Sequence, residues 1–178
     1  NIINSKNNLA NNYLLSDQIK IENLSFKFPG TTNNILEDLN LKIDKGEFIG
    51  IYGRSGVGKT TLINLLLGLL KPDKGKIIVG RKNIHDDIKN WQKIVNYIPQ
   101  NVFITDDSII KNIALGENEK EIDLEKINKS LKISNIYDFI KSLPDDIKTN
   151  CGELGDRLSG GQKQRLGIAR AFYRDSEI

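Results

Sequence analysis

The sequence has no methionine, one cysteine, one histidine and one tryptophan among 178 residues. The single cysteine, Cys151, excludes an internal disulfide, which fits a reducing compartment. No apolar run approaches the roughly 18 residues of a spanning helix. The longest stretch, Leu62 to Leu70, is broken by Asn64 and Gly68 and reads as a buried helix. A secretory signal pattern is also absent. The formal net charge of +3 is too small to argue for nucleic acid or an anionic membrane surface. With 38% hydrophobic and 28% charged residues, the composition is that of a soluble globular domain with a sizeable core. The start, Asn1 to Asn12, is asparagine-rich and aperiodic. Residues 1–17 are therefore expected to be a linker from an upstream domain, the alternative being a processed or tagged terminus. Both ends are expected to be cut from a longer polypeptide.

What is present begins with two short alternating runs, Ile19-Ile21 and Leu24-Phe26-Phe28, predicting strand with an irregularity between them. Ile35 to Ile43 alternates again, and Glu47 to Tyr52 predicts a short apolar strand running into Gly53. A buried helix is expected from Lys59 to Leu70, ended by Pro72 and Gly75, with strands at Lys76–Gly80 and Val95–Ile98. After Pro99-Gln100 the character changes. Ile109 to Leu115, Leu124 to Leu131 and Ile136 to Leu143 predict helices, a helical subdomain over about residues 101–160 inserted into an α/β core. Gly160 to Tyr173 predicts a further helix with Leu166, Ile168, Ala169 and Phe172 available for its buried face.

The string Gly53-Arg54-Ser55-Gly56-Val57-Gly58-Lys59-Thr60 matches a P-loop. Phosphate oxygens need converging donors and a close backbone, and glycines at 53, 56 and 58 allow both. The following helix presents its positive end to the anion. Lys59 supplies a cation for the β- and γ-phosphates, and Thr60 a hydroxyl oxygen for Mg²⁺. Thr61 either reaches the α-phosphate or extends the helix. An apolar strand before the loop and a helix after it are the setting the motif requires.

A second glycine-rich element, Leu158-Ser159-Gly160-Gly161-Gln162, precedes the last helix. Ser159 offers a hydroxyl, and Gly160 and Gly161 offer bare N–H groups, another anion site at a helix start. A plain N-cap and turn is the alternative for Ser-Gly-Gly alone. Since the P-loop already covers the phosphates from one side, the second element makes sense on the γ-phosphate of a neighbour's ATP. That implies a two-fold dimer with composite sites.

On these residues the chain resembles the nucleotide-binding domain of ABC transporters, from about Ile19 to its end. Leu158 to Arg165 resembles the signature motif, and Gln100, in Tyr97-Ile98-Pro99-Gln100, the Q-loop glutamine that touches Mg²⁺ and the attacking water. Phe28 falls where the family carries an aromatic that stacks on adenine. Thr149-Asn150-Cys151-Gly152-Glu153-Leu154-Gly155 resembles the X-loop of the exporter type, and Trp91 to Gly116, with Asp106-Asp107-Ser108, is similar to flippases for lipid-linked saccharides. The resemblance implies a RecA-like P-loop core with an N-terminal antiparallel β subdomain over residues 18–178. It implies ATP and Mg²⁺ bound through Phe28, residues 53–61 and Gln100, with Thr60 and Gln100 on the metal and Lys59 and Gln100 in catalysis. Ser159, Gly160, Gly161 and Gln162 would hold the ATP of the opposite subunit in a head-to-tail dimer. A transmembrane domain on the same full-length chain is expected, at the cytoplasmic face of the inner membrane, with no nucleic-acid partner.

The departures concern the end of the chain. The family places a Walker B aspartate, a catalytic glutamate and a switch histidine after the signature helix. Neither Asp175 nor Glu177 follows an apolar strand, and His85, expected at the surface, lies far upstream. The domain is thus expected to be incomplete at its C-terminus, to hydrolyse no ATP by itself and to leave apolar surface near Leu62–Leu70 and Leu166–Phe172 uncovered. A non-transport ATPase of the same type, acting in DNA repair or translation, is the alternative. The absence of a heptad run between Gln100 and Ser159 and the exporter-like X-loop argue against it. Trp91 is expected in packing, Cys151 as a spare thiol, and Arg165 and Arg170 in structural pairing.

Overall fold

The computed structural model describes residues 18–176 and residue 178, so the expected linker over 1–17 lies outside the described residues. The described residues divide into two compact units, 18–95 with residue 178, and 96–176.

In the first unit β1 (Ile19–Phe26), β2 (Leu36–Ile43), β3 (Lys74–Val79) and the short β4 (Lys82–Asn83) form an antiparallel sheet ordered β2-β1-β3-β4. The two offset alternations of the first segment are one strand with a bulge. Ile21 faces Leu41, but Leu24 faces Leu39, so β1 carries an extra residue at Glu22-Asn23. The extra residue reverses the phase of alternation, which is why Ile21, Leu24 and Phe26 are all buried. Asn23 takes the bulge with φ 49°. Its side chain donates to Asp38 Oδ1 at 2.8 Å and its N–H to Asn40 Oδ1 at 2.9 Å. Helix α1 (Lys59–Leu66) and α2 (Ile88–Ile94) contribute Leu62, Leu65 and Trp91 to a core with Ile77, Val79 and Ile84. Trp91 is buried and its Nε1 donates to the Leu66 carbonyl at 2.8 Å, the packing role expected of it.

Three expectations are corrected. Helix α1 ends at Leu66, not Leu70, because Gly68 adopts φ 68° and its N–H bonds back to Leu65 O, a left-handed stop well before Pro72. Residues 47–52 and 95–98 are not strands. Among the described residues neither has a ladder partner, and a short apolar run without a partner does not make a sheet.

The second unit packs α3 (Ile109–Ile113), α4 (Leu124–Ile133), α5 (Tyr137–Lys141) and α6 (Gly160–Arg174) around Ile104, Ile113, Ile127, Leu131, Ile140 and Leu166. Asp123 caps α4, accepting from the N–H groups of Glu125 and Lys126 at 2.9 and 3.0 Å. On α6 the buried positions are Leu166, Gly167, Ala169 and Tyr173, whereas Phe172 is half exposed, contrary to expectation. Steps of 3 and 4 from Leu166 through Ala169 reach Tyr173. The phenol donates to Glu117 Oε2 at 2.6 Å and accepts from the Asp123 N–H at 3.2 Å.

Candidate functional site

In the first unit the loop Gly53–Gly58 leads directly into α1. Gly58 is the N-cap residue, with φ 99°, a conformation closed to most side chains. A Cβ there would also lie 2.9 Å from Ile35 Cγ2 and 3.2 Å from Ile35 O. Ile35 closes the turn that begins at Phe28, its N–H bonding Phe26 O at 2.8 Å. Phe28 is partly exposed and meets Phe26 edge to face at 5.1 Å. The helix start has no side-chain cap and no acidic residue in its first turn. Its leading N–H groups have no carbonyls ahead of them, so a positive end stands open at the loop.

Lys59 Nζ curls over the loop, donating to Gly53 O at 2.9 Å and Arg54 O at 2.7 Å. An ammonium has three donors, so two carbonyls leave one for an incoming anion. Arg54, Ser55, Gly56, Val57 and Thr60 are exposed, whereas Thr61 is buried and turned away from solvent. The loop therefore gathers an uncapped helix start, a cation and an accessible hydroxyl oxygen, which fits a polyphosphate with a hard divalent ion at Thr60.

In the second unit Gln100 is exposed and lines a cleft of about 640 Å³ with Asn101, Phe103, Leu154, Gly160 and Lys163. At its edge Ser159 caps α6 in a reciprocal box. The Ser159 N–H donates to Gln162 Oε1 at 2.7 Å, and the Gln162 N–H to Ser159 Oγ at 3.3 Å. The plain-cap reading is thus present in the geometry, but the box uses only acceptor atoms of the two side chains. The Ser159 hydroxyl hydrogen and the Gln162 amide hydrogens are not consumed by it. A Cβ on Gly160 or Gly161 would meet nothing within 4 Å, so no packing among the described residues demands glycine there. Open space over bare N–H groups suits the close approach of an outside ligand.

Behind the signature, residues 149–152 are held against the start of α3. Thr149 O accepts from the Ile109 N–H at 3.0 Å, Asp107 O from the Cys151 N–H at 2.9 Å, and Ser108 bridges Asn150. Cys151 is buried, and desolvation pushes its thiol up to about 11, so it is a packed group rather than a reactive one. Arg165 donates to Asn135 O at 3.0 Å, and Arg170 to Asn112 O at 2.8 Å and Phe103 O at 3.0 Å, all carbonyls rather than acidic partners. His85 is not a plain surface residue. It is half-buried with Nε2 unbonded, and burial, followed by Lys71, holds its pKa below the ordinary value. Asn112 escaped the sequence reading, and Lys163 entered it only within Leu158 to Arg165, without a role of its own. A buried asparagine inside the apolar run Ile109–Leu115 was the available signal for the first.

Comparison with known proteins agrees with this geometry. A family model described as ABC transporter matches residues 36–178. A Rickettsia prowazekii protein, described provisionally as an export ATP-binding/permease protein, is 42% identical over 99% of this chain and 32% of its own length. The ATP-dependent lipid A-core flippase of Pseudomonas aeruginosa is 36% identical over 92% of this chain and 27% of its own. The solved structure of a bacterial Atm1-family ABC exporter with ATP bound superposes with a TM-score of 0.82 at 30% identity, covering 90% of this chain and 28% of that one. The chain thus spans about a third or less of the length of these relatives. Its fold is the P-loop α/β fold with an antiparallel β sheet and a helical portion, and the chain belongs to the ABC transporter family.

Proposed function

We propose that this chain is the ATP-binding portion of an exporter or flippase, in which ATP binding and hydrolysis drive a membrane domain between two accessible states. The observation that carries the reading is the pairing of two unlike helix starts: α1, uncapped behind the glycine loop, and α6, capped by Ser159 yet bare at Gly160 and Gly161. The first suits the phosphates of a bound ATP and the second those of an ATP held by another copy, in a head-to-tail dimer. The membrane domain lies on the same full-length polypeptide, with this portion on the cytoplasmic side of the membrane. The exporter and flippase names of the relatives support this assignment.

Lys59 neutralises β- and γ-phosphate charge, Phe28 offers a stacking face to the base, and Gln100 orients water. Thr60 would hold Mg²⁺, which supplies further charge neutralisation on the phosphates. Neither Asp175 nor Glu177 sits on an apolar strand in the sequence. We therefore infer that the 178 residues alone bind ATP weakly and do not turn it over. A steady-state phosphate-release assay tests both statements. The full-length protein should hydrolyse ATP, and Lys59→Ala should lower the rate by at least about a hundredfold, the scale of losing a positioned transition-state charge. The isolated chain should release no phosphate above background. Turnover by the full-length protein that survives Lys59→Ala would sink the reading.

A further inference from the structure

Asn112 has none of its surface exposed. Its Oδ1 accepts from the Thr105 N–H at 2.9 Å and the Thr105 hydroxyl at 3.0 Å. Its Nδ2 faces Thr105 O at 3.1 Å, Asp107 O at 3.3 Å, Ser108 O at 3.2 Å and Cys151 Sγ at 3.6 Å. Donors surround one end of the amide and acceptors the other, so the orientation is fixed and no other side chain of this size reproduces it. Aspartate would turn an oxygen toward three carbonyls, and leucine would leave the Thr105 N–H and hydroxyl without their acceptor.

The residue does not cap its own helix: α3 begins at Ile109, and its N-cap residue Ser108 makes no side-chain cap bond. What it joins is three separate stretches. Thr105 to Ser108 continue from the cleft wall at Phe103, Cys151 belongs to the segment before Leu158–Gln162, and the backbone carbonyl of Asn112 accepts from Arg170 Nε of α6 at 2.8 Å. Arg170 Nη2 completes the loop at Phe103 O, 3.0 Å away. A buried polar hub satisfied on all sides rigidifies what it touches.

We propose that Asn112 is a positioning residue that locks the cleft wall 103–108 and the segment 149–152 to α6, so that the cleft at Gln100 and the signature Ser159–Gln162 move as one piece. The consequence for turnover rests on the ATP reading above; the mechanical lock does not. The phosphate loop with Lys59 belongs to the other compact unit. Loosening the lock should therefore spare ATP binding and slow the step that needs the signature in place.

The test uses the full-length protein with Asn112→Ala, Asn112→Asp and the milder Thr105→Val, which removes only the hydroxyl bond. Labelling of Cys151 by N-ethylmaleimide, read by peptide mass spectrometry, should rise about tenfold in the Asn112 variants and about twofold in Thr105→Val as local opening becomes easier. Amide exchange at residues 150–155 and 159–162 should rise together. The kcat should fall about tenfold in the Asn112 variants with KM for ATP within about twofold, the split expected when binding is spared. Unchanged labelling, faster exchange confined to 105–108, or an unchanged kcat per folded molecule would each overturn the proposal. If the Asn112 variants do not fold, Thr105→Val decides by the same readouts. If the unmodified protein hydrolyses no ATP, the ATP reading fails, and labelling and exchange still decide the lock.

Discussion

At the scale of single residues, the site is built from groups whose neighbours leave them unfinished. Lys59 has two carbonyl partners and a spare donor, and Thr60 is open to solvent while Thr61 is buried. His85 is unfinished in another way, half-buried with Nε2 unbonded and its pKa lowered by desolvation and by Lys71, against a smaller opposing effect of Asp86. The folded form binds this proton less readily than the unfolded chain, so the stability that neutral His85 allows is complete above the ordinary value of 6.5. It is lost as pH falls through the lower folded value, since the unfolded state then binds more protons. The single tryptophan, Trp91, lies in the same compact unit and reports its unfolding. Urea titrations followed by Trp91 fluorescence should show the difference between wild type and His85→Gln constant above about pH 7.5 and shifting in favour of the variant as pH falls. A difference that is flat down to about pH 5 would show that burial does not perturb this imidazole.

At the scale of elements, the two glycine-rich helix starts resemble each other in sequence but differ physically. α1 has no side chain at its start, whereas α6 is closed by the Ser159–Gln162 box. Ser159→Ala should cost about 1 kcal/mol in unfolding free energy through loss of the cap. Ser159→Asp keeps a capping acceptor and should retain stability within about 0.5 kcal/mol. It also places a carboxylate where the proposed function needs an anion, so ATP turnover should be lost in the variant that melts normally. A Ser159→Asp protein with full turnover would reduce Ser159 to a cap. The motifs were legible in the sequence because their chemistry is local: Gly58, Lys59, Ser159 and Gln162 act through spacings of a few residues. The bulge at Asn23 was legible as a phase change between Ile21 and Leu24. What did not follow from local pattern depended on partners distant in the chain. Residues 47–52 read as an apolar strand but have no ladder partner among the described residues, whereas the stop of α1 at Gly68 and the helical phase that buries Tyr173 in place of Phe172 are local. Asn112 stands out in the sequence only as a polar residue in an apolar run, because its links to Cys151 and, through its backbone carbonyl, to Arg170 span distant parts of the chain.

At the scale of the whole molecule, each compact unit has its own apolar core, yet several large apolar side chains lie outside both. The expectation of uncovered surface near Leu62–Leu70 and Leu166–Phe172 holds only at Leu69 and Phe172. The greater exposure is at Phe48 and Tyr52, 103% and 95% accessible, in a segment without strand partners among the described residues. An apolar face beside unpaired backbone N–H and C=O groups is a template for adventitious pairing and for dye binding. For the 178-residue chain, Phe48→Ser with Tyr52→Ser should lower bound-dye fluorescence by about half or more and raise the concentration at which the chain aggregates. Because neither side chain is buried, the unfolding free energy should stay within about 0.5 kcal/mol of the parent. A loss of more than about 2 kcal/mol would mean that the two rings are packed in solution, since only buried aromatic groups cost so much to remove.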